Sequence, residues 1–185
     1  MKALILIDYT VDFVDGKLPV GQPAIDIEDR IAELAETFVN QGDFVVMAVD
    51  LHDESDPYHP ETKLFPPHNI RGTDGRHLYG KLDEVYRRHE DRIYWMDKTR
   101  YSAFCGTDLE LKLRSRGIRE VHLAGVCTDI CVLHTAVEAY NKGFELFIHA
   151  DACATFVPGG HEWALGHFQH SLGAAILKGG SLVRI

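Results

Sequence analysis

The chain has 185 residues, of which 45% are hydrophobic and 25% charged, and its formal net charge is −9. This composition is typical of a globular domain with a hydrophobic core. The negative charge disfavours nucleic acid and anionic membranes as partners, and no apolar run reaches the roughly 18 residues of a membrane span. The N-terminus shows no signal-peptide pattern, so we expect a cytoplasmic protein whose four cysteines are not disulfide-bonded.

Apolar runs alternate with helical patterns along the chain, without repeats or linkers. The predicted strands are Ala3 to Asp8, Phe44 to Asp50, Arg92 to Met96, Glu120 to Gly125, Phe144 to His149 and Ser181 to Ile185. The predicted helices are Ala24 to Asn40, Thr107 to Arg116, Ile130 to Asn141 and His161 to Leu177. This order predicts one α/β domain over residues 1–185, a three-layer α/β/α arrangement with a six-stranded, mostly parallel sheet.

A long polar segment, Leu51 to Tyr79, interrupts this alternation directly after the second predicted strand. A loop of this length inside a domain is usually functional. It follows the carboxyl end of a strand, the edge where open α/β sheets bind ligands. The segment is therefore expected to contribute to a binding site.

Cys131 lies in the first turn of a predicted helix that follows the strand ending near Gly125. Free N–H groups and the helix dipole at such a position favour an anion, and can lower the pKa of a thiol. Position alone leaves open the alternative that Cys131 is a small buried hydrophobe. Asp8 and Lys98 fall at the ends of two other predicted strands, so a carboxylate, an ammonium group and a thiol are expected at one sheet edge.

Five blocks, in this order and spacing, resemble the isochorismatase-like cysteine hydrolases and, within them, the bacterial nicotinamidases. The blocks are LIDYTVDF (residues 6–13), DLHD (50–53), HPETKLFPPH (59–68), KTRYSAF (98–104) and GVCTDICV (125–132). The resemblance implies hydrolysis of nicotinamide to nicotinic acid and ammonia, with a role in NAD recycling and pyrazinamide-like analogues as further substrates. Members of the family are often dimers or tetramers, so a homo-oligomer is expected.

The family's catalytic triad corresponds to Asp8, Lys98 and Cys131. The resemblance also implies a cis peptide bond between Val126 and Cys127, which directs a backbone N–H into an oxyanion hole formed by the N–H groups of Cys127 and Cys131. In this mechanism Asp8 takes the thiol proton and the thiolate attacks the carboxamide.

Asp50 and His52 are two residues apart at a strand end, so their side chains can point the same way. The long loop offers many further ligands for a divalent metal, and spacing alone does not choose among them: Asp53, Glu54, Asp56, His59, Glu61, His68 and His77. The resemblance implies that Asp50, His52, Glu61 and His68 bind zinc, with manganese or iron as alternatives. Some relatives have a histidine in place of Glu61, which makes His59 the competing ligand.

The resemblance further implies that the pyridine nitrogen of the substrate takes an open position on the metal. It also implies that Phe13, Phe65 and Tyr101 wall the aromatic ring; taken without the resemblance, each fits a core position.

Several alternatives remain at this point. A structural zinc site of four cysteines would combine Cys127 and Cys131 with Cys105 and Cys153. A related amidase or N-carbamoyl hydrolase would share the triad but commonly lacks this metal set. Isochorismatase itself does not need the cysteine, and a metal-binding relative without catalysis would not need the triad.

Overall fold

Seven strands form one sheet in the computed structural model, which describes residues 1–185. The strands are β1 (Ala3–Ile7), β2 (Phe44–Asp50), β3 (Ile93–Lys98), β4 (Glu120–Val126), β5 (Glu145–Ala154), β6 (Ala175–Lys178) and β7 (Ser181–Val183). Their order in the sheet is β3-β2-β1-β4-β5-β6-β7. All neighbours are parallel except β6 and β7.

The helices connect the strands and pack in two groups, α3 against α4 and α6 against α7. They are α1 (Val11–Val14), α2 (Gln22–Ile25), α3 (Glu28–Asn40), α4 (Gly80–Arg88), α5 (Leu109–Ser115), α6 (Leu133–Asn141) and α7 (Gly160–Leu172). Short 3-10 turns occur at Pro60–Lys63 and Asp74–Arg76, and a π-helical turn occurs at Thr128–Val132. None of the helices has both the length and the apolar sequence needed to cross a bilayer.

Burial explains these elements. Every residue of β1 is buried, as expected for a central strand with helices on both faces. The amphipathic α3 presents one apolar stripe to the sheet, formed by Ile31, Leu34, Ala35 and Phe38. The three-layer, mostly parallel architecture is therefore confirmed.

The strand count and some boundaries were wrong. The sheet has seven strands because the predicted helix His161 to Leu177 ends at Leu172, and its last residues form β6. Gly173 takes a left-handed conformation, φ 63°, which ends the helix. The Gly179–Gly180 turn then returns the chain as β7, antiparallel to β6.

Two further differences have local causes. The predicted helix Ala24 to Asn40 is divided into α2 and α3. The helix α4 was not predicted, because it buries only Leu82 and Val85, too few for a visible apolar stripe.

The carboxyl ends of four neighbouring strands meet at one edge of the sheet. Asp8 follows β1, Asp50 ends β2, Lys98 ends β3 and Cys127 follows β4. Asp50 is paired in register with Lys98, and the last residue of β1 is paired with Gly125. The strand order reverses between β1 and β4, the kind of position where α/β sheets bind ligands.

Candidate active site

Asp8, Lys98 and Cys131 meet at this edge in the protein interior. Lys98 Nζ lies 2.7 Å from Asp8 Oδ2 and 3.9 Å from Cys131 Sγ. Asp8 and Lys98 are almost fully buried, and Cys131 is 5% exposed. The structure thus brings together the three side chains that the sequence placed at one edge of the sheet.

Backbone conformation aims the Asp8 carboxylate across the strand ends. Asp8 has φ 56°, a left-handed conformation that Asp tolerates better than most residues. Its Oδ1 accepts a hydrogen bond from the Asp50 N–H at 2.9 Å, while Oδ2 has no well-directed hydrogen bond. One oxygen is therefore held in place, and the other is available to accept a proton.

Cys131 lies in the π-helical turn that joins β4 to α6. Single π turns within helices are frequent at functional sites. The Val126–Cys127 peptide bond is cis, as the resemblance implied. The Cys127 N–H donates no hydrogen bond to the protein, which leaves this donor free beside the thiol.

The electrostatics of the triad differ from the expectation for a thiol at a helix N-terminus. Burial raises the pKa of Cys131 well above its ordinary value; the Asp8 and Asp50 carboxylates add to the rise, and Lys98 opposes it. Burial likewise raises the pKa of Asp8 to about 6, against the attraction of Lys98. The position of Cys131 at the start of a helix left its protonation state open, and here desolvation and two carboxylates favour the protonated thiol.

A second cluster, formed by Asp50, His52, Glu61 and His68, lies beside the triad. Their ligand atoms all lie within 4.8 Å of one another, and all four residues are buried. Asp50 Oδ2 is 2.8 Å from His52 Nε2 and 3.7 Å from His68 Nε2. Two imidazoles and two carboxylates so close together form a donor set suited to one divalent ion.

The chemistry of the cluster fits a metal. His68 Nδ1 donates to the Pro66 carbonyl oxygen at 2.8 Å, so Nε2 is the nitrogen that faces the other ligand atoms and that a metal would bind in place of a proton. That Nε2 is buried without a hydrogen-bond partner. Burial would lower the pKa of His68, but Asp50 and Glu61 raise it to about 10. Burial would raise the pKa of Asp50, but Lys98, His52 and His68 hold it well below its usual range.

His59 is not a member of this cluster. Its Nε2 donates to the Thr99 carbonyl oxygen at 2.8 Å, and its Nδ1 accepts from the Glu61 N–H at 3.3 Å. Both ring nitrogens are therefore used, while the ring packs 4.2 Å from that of His52. The geometry favours Glu61 over His59 as the fourth ligand.

The other candidate ligands do not gather. No group of cysteines lies close enough to hold an ion, and Cys105 is exposed whereas the other three cysteines are buried. The alternative of a four-cysteine zinc site is wrong, because no three of these cysteines lie within ligand distance of one another.

Aromatic side chains border the metal cluster. Phe13 and Phe65 approach His68 edge-on, with ring centroids 5.0 and 6.3 Å away. Burial raises the pKa of Tyr101 to about 12, and the charges of Glu61, Cys131 and Asp50 add to the rise. A cavity of about 350 Å³ reaches the cluster from the long loop and is lined in part by Phe65.

Sequence reasoning missed the residues that anchor the long loop. Arg76 donates to the Asp50 carbonyl oxygen at 3.0 Å and pairs with Asp97. Asp12 Oδ2 accepts from the Asn69 N–H at 2.8 Å, next to His68. Asp12 lies within the quoted block of residues 6–13, which was the available signal; nothing local marks Arg76.

The class of protein to which this fold and site belong is identified by a family model. A family model described as an isochorismatase domain matches residues 2–178. The chain belongs to the isochorismatase family.

Individual relatives agree with this assignment. The isochorismatase family protein PncA of Bacillus subtilis is 63% identical over 181 residues, covering 96% of this chain and 99% of the relative. A crystal structure of nicotinamidase/pyrazinamidase PncA from Bacillus subtilis superposes with a TM-score of 0.93 at 61% identity, over 95% of this chain and 99% of the other.

Two more distant structures are also similar. The pyrazinamidase/nicotinamidase of Streptococcus mutans UA159 has a TM-score of 0.93 at 52% identity, covering 96% of this chain and 100% of the other. The pyrazinamidase of Pyrococcus horikoshii in complex with zinc has a TM-score of 0.84 at 31% identity, covering 96% and 98%.

Proposed function

We propose that the chain is a nicotinamidase, a metal-assisted cysteine amidase that hydrolyses nicotinamide to nicotinate and ammonia, and that residues 1–185 form one hydrolase domain. The observation that carries the proposal is the buried triad: Lys98 Nζ contacts Asp8 at 2.7 Å and Cys131 Sγ at 3.9 Å. The nicotinamidase and pyrazinamidase names of the similar structures support the same substrate class.

Asp8 is the proposed general base. With a pKa of about 6 it is largely ionised at neutral pH, yet basic enough to accept a proton. The raised pKa of Cys131 keeps the proton on sulfur until attack. Asp8 then takes this proton as Cys131 Sγ bonds to the carboxamide carbon, and Lys98 stabilises the negative charge of the pair.

The oxyanion of the tetrahedral intermediate accepts hydrogen bonds from the N–H groups of Cys127 and Cys131 in this proposal. Asp8 returns the proton to the amide nitrogen as the C–N bond breaks, which releases ammonia and leaves a thioester. A water molecule then attacks the thioester, Asp8 accepts its proton, and that proton returns to Cys131 as the C–S bond breaks.

Asp50, His52, Glu61 and His68 are the proposed metal ligands, with zinc as the metal. When bound, this ion would hold and polarise the pyridine ring of the substrate. Phe13, Phe65 and Tyr101 would form the aromatic walls of the slot, because flat rings favour an aromatic surface. The unpartnered His68 Nε2 supports the ligand set.

The biological setting follows from the same proposal. We propose that the enzyme acts in the cytoplasm as a homo-oligomer, recycles nicotinamide for NAD synthesis, and also accepts pyrazinamide-like amides.

Ammonia release from nicotinamide tests the proposal. Wild-type protein loaded with zinc should release ammonia, and Cys131→Ala should abolish the release. Cys105→Ala is the matched control, because Cys105 is an exposed cysteine in a different segment, and it should retain full activity. Rapid quenching followed by mass spectrometry should detect a nicotinoyl adduct on Cys131 alone. Full activity in Cys131→Ala would refute the mechanism, and an inactive wild type would refute the substrate.

A further inference from the structure

Side-chain contacts with residues outside the turn hold the oxyanion turn, residues 127–129. Thr155 Oγ1 donates to Asp129 Oδ1 at 2.6 Å and accepts from the Val157 N–H at 3.3 Å. Thr128 Oγ1 is 2.9 Å from His161 Nδ1. Thr155 directly follows β5 and His161 lies in the first turn of α7, so two neighbouring residues of the turn are held by a separate part of the chain.

The contacts are buried and closely packed. Thr128 is fully buried and Thr155 is 7% exposed. A Cβ at Gly160 would lie 2.4 Å from Asp129 Oδ2, so the carboxylate rests directly on the first residue of α7. This is the positive end of a 13-residue helix, which favours the carboxylate there.

The Cys127 N–H lies beyond the last residue of β4, follows the cis Val126–Cys127 peptide bond and donates to no protein acceptor. The Cys127 carbonyl oxygen accepts from the N–H groups of Ile130 and Val132. Thr128 and Asp129 follow Cys127 directly, so the contacts of their side chains hold the turn that carries this donor. An oxyanion donor acts on the charge that develops in the transition state, and a misplacement of about 1 Å can cost about 100-fold in rate.

We propose that Thr155 and Asp129 are positioning residues that set the direction of the Cys127 N–H toward the oxyanion. This inference rests on the proposed function, because it assumes that an oxyanion forms at Cys127. The two side chains act through the turn and do not touch the substrate. Their removal should reduce kcat and the binding of a tetrahedral adduct, while KM for nicotinamide stays nearly unchanged.

The test compares Thr155→Val, Thr155→Ser and a control, Thr107→Val. Thr107 has the same local geometry: its Oγ1 donates to the Ala103 carbonyl oxygen at 2.6 Å and accepts from the Leu109 N–H at 3.3 Å, away from the site. The probe is pyridine-3-carbaldehyde. Cys131 Sγ adds reversibly to its carbonyl carbon, and the thiol proton ends on the former carbonyl oxygen or on Asp8, so a tetrahedral adduct forms without a leaving group.

Thr155→Val should lower kcat by about 10- to 100-fold and weaken aldehyde binding in parallel, with KM changed less than about threefold. Thr155→Ser should restore both values to within about threefold of wild type, and Thr107→Val should match wild type. A Thr155→Val protein that melts earlier but keeps wild-type kcat and aldehyde affinity would show a merely structural role and overturn the proposal.

A second variant keeps the test decisive if Thr155→Val does not fold. Asp129→Asn preserves the size of the side chain and removes its charge, and should lower kcat and aldehyde affinity at least about threefold; unchanged values would overturn the proposal. Failure of the proposed function has a different signature, because wild type itself would then neither turn over nicotinamide nor bind the aldehyde.

Discussion

Two buried histidines on neighbouring strands predict a loss of stability at mildly acid pH. His122 Nε2 is 2.6 Å from Glu120 Oε1, and His122 Nδ1 is 2.9 Å from His149 Nε2. Because the glutamate accepts from His122 Nε2, His122 Nδ1 must accept from His149. The remaining nitrogen, His149 Nδ1, is buried without a partner. A proton there would place a charge in a site with no acceptor for it.

The size of the effect follows from the pKa of His149. Burial, together with His122 and Arg30, lowers this pKa from 6.5 to about 3. The folded protein therefore stays neutral at His149 while the unfolded chain takes up a proton below pH 6.5. The stabilisation is fully present above pH 6.5 and is lost as the pH falls toward 3, at about 1.4 kcal/mol per pH unit. Between pH 7.5 and 5.0 the loss is about 2 kcal/mol.

Urea unfolding at several pH values measures this loss, with His149→Gln as the test variant, because Gln can still donate to His122. The difference in unfolding free energy between wild type and His149→Gln isolates His149. It cancels the opposite contribution of His68, whose raised pKa stabilises the fold as the pH falls. The difference should shrink by about 2 kcal/mol from pH 7.5 to 5.0. The exposed His170→Gln should show no such trend. A pH-independent difference for His149→Gln would refute the reasoning.

Three further predictions concern the site. Lys98→Met removes the cation between two buried carboxylates and should lower the unfolding free energy by about 3–5 kcal/mol at pH 7. A loss below about 1 kcal/mol would contradict the view that Lys98 neutralises these carboxylates. Gly125→Ala would place a Cβ 2.0 Å from a backbone oxygen of β1 and should lower the unfolding free energy, measured in urea, by more than about 3 kcal/mol. The control Gly143→Ala is also at positive φ but lies in open space, and should cost about 1 kcal/mol. His59→Gln should weaken metal affinity about 10-fold in competition with a chelator, and Glu61→Gln much more; the reverse order would make His59 the ligand.

The positions of the catalytic groups could be predicted because they depend on chain order alone. In a parallel sheet the carboxyl ends of all strands lie at one edge, so Asp8, Asp50 and Lys98 had to converge once their strands were recognised. The convergence needed no side-chain detail. The error in strand count did not affect the predicted position of the site, because β6 and β7 lie at the far edge of the sheet.

The boundary between α7 and β6 could not be predicted from the apolar pattern of the sequence. Ala174 to Leu177 are apolar or small, and four such residues continue a helix as well as they form a short strand. Gly173 was the only local signal for a boundary. The choice between helix and strand was decided by pairing with β5, a contact that sequence spacing does not express.

The metal ligands and the thiol pKa depend on orientation and on distant neighbours. His59 and Glu61 are equivalent by spacing, and only the bonds of the His59 ring, to Thr99 and to the Glu61 N–H, remove it from the metal cluster. The helix that carries Cys131 indicated only that its thiol pKa could be lowered, whereas the carboxylates that raise this pKa lie at the ends of β1 and β2. A local argument could therefore predict the position of the nucleophile but not its protonation state.

Lys98 connects these two halves of the site. Its ammonium lies 2.7 Å from Asp8 and 3.3 Å from Asp50, one carboxylate belonging to the triad and the other to the metal cluster. One positive charge thus faces two negative ones, but the two pKa values move in opposite directions. Burial raises the pKa of Asp8, whereas the pKa of Asp50 falls because Asp50 also lies beside two histidines. Of these two, only His52 is within hydrogen-bond distance of Asp50, at 2.8 Å, and His68 Nε2 faces it at 3.7 Å. These two histidines favour the ionised form of Asp50 and leave Asp8 as the carboxylate basic enough to move a proton. The metal cluster therefore contributes to the basicity of Asp8 through the protein's own charges.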